Sequence, residues 1–176
     1  MQFDNQEVIE GGVQKLDVRK GEVVLEVGSG NGQALVEIKK RSPKRIYSIE
    51  ISEKLRGLLK SRFSDENIVI LSNDAKDLQG VIESQSIDKL LLINVIYFLN
   101  PLDEYLREFN RVIKKNGIIL IVSKFHLAKN FDKSVFQNTD EASLIPKLQE
   151  YFEVSCESIE SEKETSQYQL IFLKAK

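Results

Sequence analysis

Short apolar runs alternate along this chain with segments whose apolar residues recur every three to four positions. The runs fall at 23–27, 46–51, 68–75, 88–94 and 112–121, with a last one at 168–173. Their length and β-branched content mark them as strands, and the first five, alternating with helices, are those of a parallel sheet covered on both faces. Between them the helical period is carried by Ala34, Leu35 and Ile38, then by Leu55, Leu58, Leu59 and Phe63. It returns through Leu102, Tyr105, Leu106, Phe109, Val112 and Ile113, where Pro101 suits a first turn and Asn116-Gly117 is expected to end the helix. A shorter helix is expected around Leu78, Val81 and Ile82, and another through Ala142, Ile145 and Leu148, extending to Phe152 despite Pro146. Residues 1–20 form an N-terminal helical segment in this reading, and 125–140 is the one sizeable irregular stretch.

Composition narrows the class. The chain has 176 residues, enough for one substantial core, so a single domain over 1–176 is expected. A 41% hydrophobic and 30% charged content is that of a globular protein. The net charge of −2 supplies no field toward nucleic acid or anionic lipid. No apolar run approaches the ~18 residues of a membrane span, and the N-terminus lacks a signal-peptide pattern. Cys156 is the only cysteine, which excludes an internal disulfide and a thiolate metal cluster and points to a reducing, cytoplasmic setting. No metal ligands are assigned.

The candidate chemistry starts where the first run, Val23-Val24-Leu25-Glu26-Val27, enters Gly28-Ser29-Gly30-Asn31-Gly32. Glycines at such a turn let a ligand approach bare backbone at a strand's carboxyl end. The dinucleotide fingerprint G-x-G-x-x-G needs its third glycine at position 33, which is Gln33, so an NAD-binding oxidoreductase is the weaker alternative. Glu26, two residues before the first glycine, suits a ligand bearing an ammonium group better than a diphosphate.

The segment resembles the first motif, (D/E)-x-G-x-G-x-G, of the class I S-adenosylmethionine-dependent methyltransferases, and within them the small-molecule (type 11-like) domains. The resemblance extends through 46–51, ending near Glu50; through 68–75, with Asp74; through 88–94, ending in Asn94; and through the turn and strand of 112–121. It implies a three-layer, Rossmann-like α/β sandwich with helices on both faces of a seven-stranded, mostly parallel sheet. The last strand would lie antiparallel between strands five and six. It also implies S-adenosyl-L-methionine as cofactor.

Roles follow from that ligand's groups. Glu50 would accept the two ribose hydroxyls and Asp74 the adenine amino group. The N–H of Ala75 would donate to a ring nitrogen while Ile51 packs on the base. Glu26 would hold the ammonium, and Asn94 would meet the methionine moiety. Gly28, Ser29, Gly30 and Gly32 would form the turn. Each has a structural alternative: a tight turn for the glycines, a helix cap for Glu50 (although Ser52 is better spaced for that), an Asx turn for Asp74 and a satisfied strand-end carboxylate for Glu26.

The acceptor side is thinner. Methyl transfer needs positioning and exclusion of water more than a base. His126, the only histidine, is the candidate base, with an exposed bystander as the alternative; Tyr97 and Phe98 are candidate walls of the acceptor pocket. Residues 125–140, mixing aromatics with lysines, are a candidate lid or else a packed connection. A sparse cap leaves room for a second copy of the chain to complete the site. The basic group Lys39, Lys40, Arg41, Lys44 and Arg45 and the acidic run Glu157, Glu160, Glu162 and Glu164 read as solvated loops. A small-molecule acceptor is therefore expected, with RNA or protein, or a non-catalytic cofactor-binding subunit, as alternatives.

Overall fold

A computed structural model describes residues 5–160 and 167–176. Among these, seven strands form one sheet in the order β3-β2-β1-β4-β5-β7-β6. They are β1 Val23–Val27, β2 Arg45–Ile49, β3 Ile68–Leu71, β4 Ile87–Ile93, β5 Ile113–Ser123, β6 Phe152–Ile159 and β7 Tyr168–Ala175. The first five pair in parallel, and β7 runs antiparallel to both β5 and β6. The expected sandwich and its inverted last strand are thus present.

Residue-by-residue alternation along the strands feeds two cores. Val24, Ile46, Leu91, Leu120 and Val122 face α1 (Gln6–Leu16), α2 (Gln33–Lys39) and α3 (Glu53–Arg62). Leu25, Val27, Ile49, Leu90, Leu92 and Ile121 face α4 (Leu102–Val112) and α6 (Glu141–Tyr151). A 3₁₀ turn, Ile96–Phe98, follows β4, and the short helix α5, Phe125–Ala128, follows β5. Ser52 caps α3, its side chain accepting from Leu55 N at 3.4 Å, as its spacing suggested. No helix among the described residues is long and apolar enough to cross a membrane.

Four expectations need correction. No helix forms around Leu78, Val81 and Ile82: the segment is a set of turns, with Gly80 at φ +75. Leu78 and Ile82 are buried all the same, and the Leu78 N–H is bound by Glu108 Oε1 at 2.9 Å. Helix α4 ends at Val112; Ile113 is already extended and pairs with Ile87. The register then jumps to Lys89↔Ile118, so Asn116-Gly117 belongs to a bulge within β5 rather than to the helix end. Phe152 opens β6 instead of closing α6. Glu157 lies in β6, paired with Leu170, not in a loop; Glu162 and Glu164 fall outside the described residues.

Candidate functional site

The chain leaves β1 toward β2 and β3, then returns to place β4 on the other side of β1. This reversal opens a crevice at the carboxyl ends of β1 and β4, where open α/β sheets bind ligands. The glycine turn occupies it. Gly28 N and Ser29 N both donate to Ile49 O, at 2.8 and 3.1 Å, folding the turn over the end of β2. Gly28 has φ +74, and a Cβ there would lie 2.5 Å from Val95 Cγ2. At Gly32, the N-cap of α2 with φ +81, a Cβ would lie 2.6 Å from the Phe63 ring. Both need glycine, the first to pass under the β4 loop and the second to seat α2 against α3. Around Gly30 a Cβ would meet nothing within 4 Å.

Glu50, just beyond β2, is 6% exposed. Its Oε2 accepts the Gly30 N–H at 2.8 Å and its Oε1 the Ser52 N–H at 2.8 Å. The carboxylate therefore ties the glycine turn to the start of α3, while each oxygen keeps a lone pair for a further donor. Beyond β3, Asp74 and Ala75 form a turn in which Asp74 Oδ1 accepts from Lys76 N at 3.3 Å. Tyr105 on α4 also hydrogen-bonds Asp74; burial first, then this bond, raise the pKa of its hydroxyl. Asn94, just beyond β4, has φ 56 and donates its N–H to Val122 O at 2.8 Å. Its Oδ1 is buried with no partner among the described residues.

Glu50, Ile51, Asp74, Ala75 and Asn94 line one cleft of about 460 Å³, together with Gly28 and Tyr105. Much of the remaining wall is apolar, including Ile49, Ile93 and Val95. Ile51 stands 75% exposed at its lip.

Glu26 lies behind the turn, on the strand face it shares with Val24, and is 4% exposed. Burial pushes its carboxyl from the ordinary 4.5 to about 7; contact with Ser29 opposes the shift and the neighbouring Glu50 adds to it. Its Oε2 has no partner among the described residues. Ser48, in β2, donates to Ser29 Oγ at 2.8 Å, which fixes that hydroxyl. Sequence reasoning overlooked both Ser48 and Tyr105. Ser48 faces inward within an otherwise apolar strand, a signal that could have found it, whereas Tyr105 fits the helical core pattern and gave none.

The acceptor candidates separate. Phe98 is 52% exposed and borders the main cleft. Tyr97 is 3% exposed, and its hydroxyl accepts the Lys124 N–H at 2.7 Å. Tyr97 and Phe98 both line a smaller cavity of about 150 Å³ that also touches Asn94. His126 is not brought to either. On α5 it lines a different hollow, with Lys129, Asp140 and Glu141, which shares no wall with the main cleft. The chain turns into α5 directly after β5, which places His126 in this hollow beside α6 rather than on the wall of the main cleft.

Residues 25–121, more than half of the chain, match the family described as a methyltransferase domain. A ribosomal RNA small subunit methyltransferase A from Persephonella marina is 38% identical over 72 residues, 40% of this chain and 27% of that protein. The chain thus spans about a quarter of the length of that protein. A protein named "Probable cobalt-precorrin-6B C(15)-methyltransferase (decarboxylating)", from Methanococcus maripaludis, is 33% identical over 127 residues, 68% of this chain and 69% of that one. Among solved structures, a methyltransferase in complex with the Haloferax volcanii Trm112 methyltransferase activator matches with a TM-score of 0.82. The match covers 97% of this chain and 90% of that chain at 14% identity, a likeness of fold.

Proposed function

The chain belongs to the methyltransferase-domain family, and from that membership we propose that it moves the methyl group of S-adenosylmethionine to a nucleophile on a small molecule. The observation that carries this reading is the convergence of Glu50, Asp74 and Asn94 on one mostly apolar cleft. The residues fit the cofactor group by group. Glu50 has lone pairs left for the ribose hydroxyls, and Asp74, already bound by Lys76 N and Tyr105, keeps carboxylate lone pairs for the adenine amino group beside the Ala75 N–H. The unpartnered Oε2 of Glu26 and Oδ1 of Asn94 are buried acceptors suited to an ammonium. When bound, the cofactor supplies a methyl carbon made electrophilic by a cationic sulfur. The protein's work is then to hold that carbon in line with the acceptor and to keep water out, which the apolar walls and Phe98 do. His126 lines another hollow, so no base role is assigned to it.

A small acceptor is favoured by the extent of the likenesses. The one to a protein named for a cobalt-precorrin covers two thirds of both chains, whereas the one to a ribosomal RNA methyltransferase covers about a quarter of that protein. The basic group also argues against RNA. It lies at the other end of the sheet from the cleft, and two of its members are paired, Lys39 with Asp65 at 2.8 Å and Lys40 with Glu37 at 2.7 Å. We place the activity in the cytoplasm, in keeping with a single exposed thiol at Cys156.

Transfer of labelled methyl from S-adenosylmethionine, screened over small acids, phenols and amines beside RNA and protein pools, tests the proposal. Label passing to a small molecule supports it. Label passing only to RNA or protein refutes the acceptor class, and tight cofactor binding without transfer to any acceptor makes the chain a binding subunit.

A further inference from the structure

The run of turns after β3 is held along its length by one turn of helix α4. Glu104 Oε2 lies 2.9 Å from Lys76 Nζ, the Tyr105 hydroxyl donates to Asp74, and Glu108 Oε1 accepts the Leu78 N–H at 2.9 Å. The first of these contacts is half-exposed and contributes little. The last is buried and firmly built. Glu108 is fixed by Arg111 at 2.6 and 2.8 Å, and Arg111 also donates to Ile82 O at 3.0 Å. Helix α4 thus sets where residues 74–78 sit, although it is far from them in sequence.

The middle contact is the one that reaches the cleft, because Asp74, Ala75 and Tyr105 all line it. Asp74 is tied from two sides. Its Oδ1 accepts the Lys76 N–H at 3.3 Å, its own carbonyl accepts the Asp77 N–H at 2.9 Å to close the turn, and Tyr105 binds the carboxylate from across the cleft wall. A phenol has a single proton, and this one is committed to Asp74. Tyr105 therefore presents no donor to a ligand, and a carboxylate presents acceptors only. A base entering here meets acceptors at its exocyclic position. An amino group suits them, whereas a carbonyl would set acceptor against acceptor.

Resting on the methyltransferase reading above, we propose that Tyr105 is a positioning residue for the cofactor's base: it holds Asp74 so that the open lone pairs face the 6-position, and so sets a preference for a 6-amino over a 6-oxo purine. Glu108 and Arg111 keep the turn at the level of α4 where this contact can form. Tyr105 takes no part in methyl transfer. It acts through Asp74 alone.

Calorimetry on the full chain tests this with two probes, S-adenosylhomocysteine and its 6-oxo counterpart, S-inosylhomocysteine. Wild type is expected to bind the first at least about 100-fold more tightly. Tyr105→Phe should weaken S-adenosylhomocysteine roughly five- to ten-fold and leave S-inosylhomocysteine within about two-fold, cutting the preference by the same factor. Asp74→Asn tests the hold from the other side. Its amide oxygen can still accept from Tyr105, which turns the amide N–H group to the base, so S-inosylhomocysteine should bind about five-fold more tightly than to wild type. Adding Tyr105→Phe should remove that gain. Asp74→Asn needs no change at Tyr105, so a Tyr105 variant that fails to fold does not shield the proposal. No preference in wild type, a preference unchanged by Tyr105→Phe, both ligands weakened alike, or no gain in Asp74→Asn overturns the role of Tyr105 and leaves the methyltransferase reading standing. Failure of S-adenosylhomocysteine to bind wild type overturns both.

Discussion

Replacing Glu26 by Gln removes a titratable group from a place where its charge is expensive. In the folded protein burial lifts the carboxyl to about 7 from the ordinary 4.5. The folded state therefore holds this proton more tightly than the unfolded chain does. Stability is full below pH 4.5 and declines as pH rises from 4.5 to 7. Each unit of difference is worth about 1.36 kcal/mol, so the ligand-free protein loses about 3 kcal/mol across that window. Glu26→Gln cannot lose it. In a domain of this size each kcal/mol moves Tm by about 2–4 °C, so the variant should melt roughly 6–12 °C above wild type at pH 8 and close to it at pH 4.5. The gain comes at the cost of function. Without the carboxylate to meet the ammonium of S-adenosylmethionine, the variant should show little stabilisation by that ligand. Wild-type affinity should climb by up to ten-fold per pH unit below 7 and level off above it. Scanning calorimetry at pH 4.5, 6 and 8, with and without ligand, reads all of this. A difference in Tm that stays constant from pH 4.5 to 8 would refute the reasoning, because it would mean that the buried carboxyl is already ionised at low pH.

Two further substitutions test the frame of the site. Gly28→Ala puts a Cβ 2.5 Å from Val95 Cγ2 at φ +74, so chemical denaturation should show a loss of roughly 2 kcal/mol or more, and adding Val95→Ala should recover part of it; full additivity of the two would contradict the contact. Tyr97→Phe keeps the ring but leaves the buried Lys124 N–H without its acceptor, so it should cost about 1–3 kcal/mol; an unchanged urea midpoint would show that the N–H finds another partner.

How much the sequence told depends on how local each feature is. The glycine turn, Glu50, Asp74 and Asn94 were legible because each stands immediately past an apolar run, and a parallel sheet brings such positions to one edge. The state of Glu26 was not, since its raised pKa comes from helices packed over β1 and from Glu50, twenty-four residues away in sequence. Strand β6 is implied by the resemblance but its position was not legible: Phe152, Val154 and Cys156 do alternate with Glu153, Ser155 and Glu157, yet Phe152 also continues the helical period of α6 and hides where the strand begins. The missing helix after β3 has a comparable cause: Leu78 and Ile82 do point inward at helical spacing, but Gly80 takes a left-handed conformation between them and Glu108 supplies the backbone bond that a helix would have made. His126, three residues past β5, shows what proximity in sequence leaves open, because the helical turn of α5 sets which hollow the ring lines. Tyr105 shows the complementary limit, as its helical period gives the face it occupies but not that its hydroxyl reaches Asp74.

The central claim, that this cleft holds S-adenosylmethionine through Glu50 and Asp74, is met most directly by titrating that compound into wild type, Glu50→Ala and Asp74→Ala in a calorimeter. The account predicts saturable binding to wild type, weakened in each variant by about 1–3 kcal/mol through lost hydrogen bonds. No heat with wild type, or the same affinity in all three proteins, would contradict it.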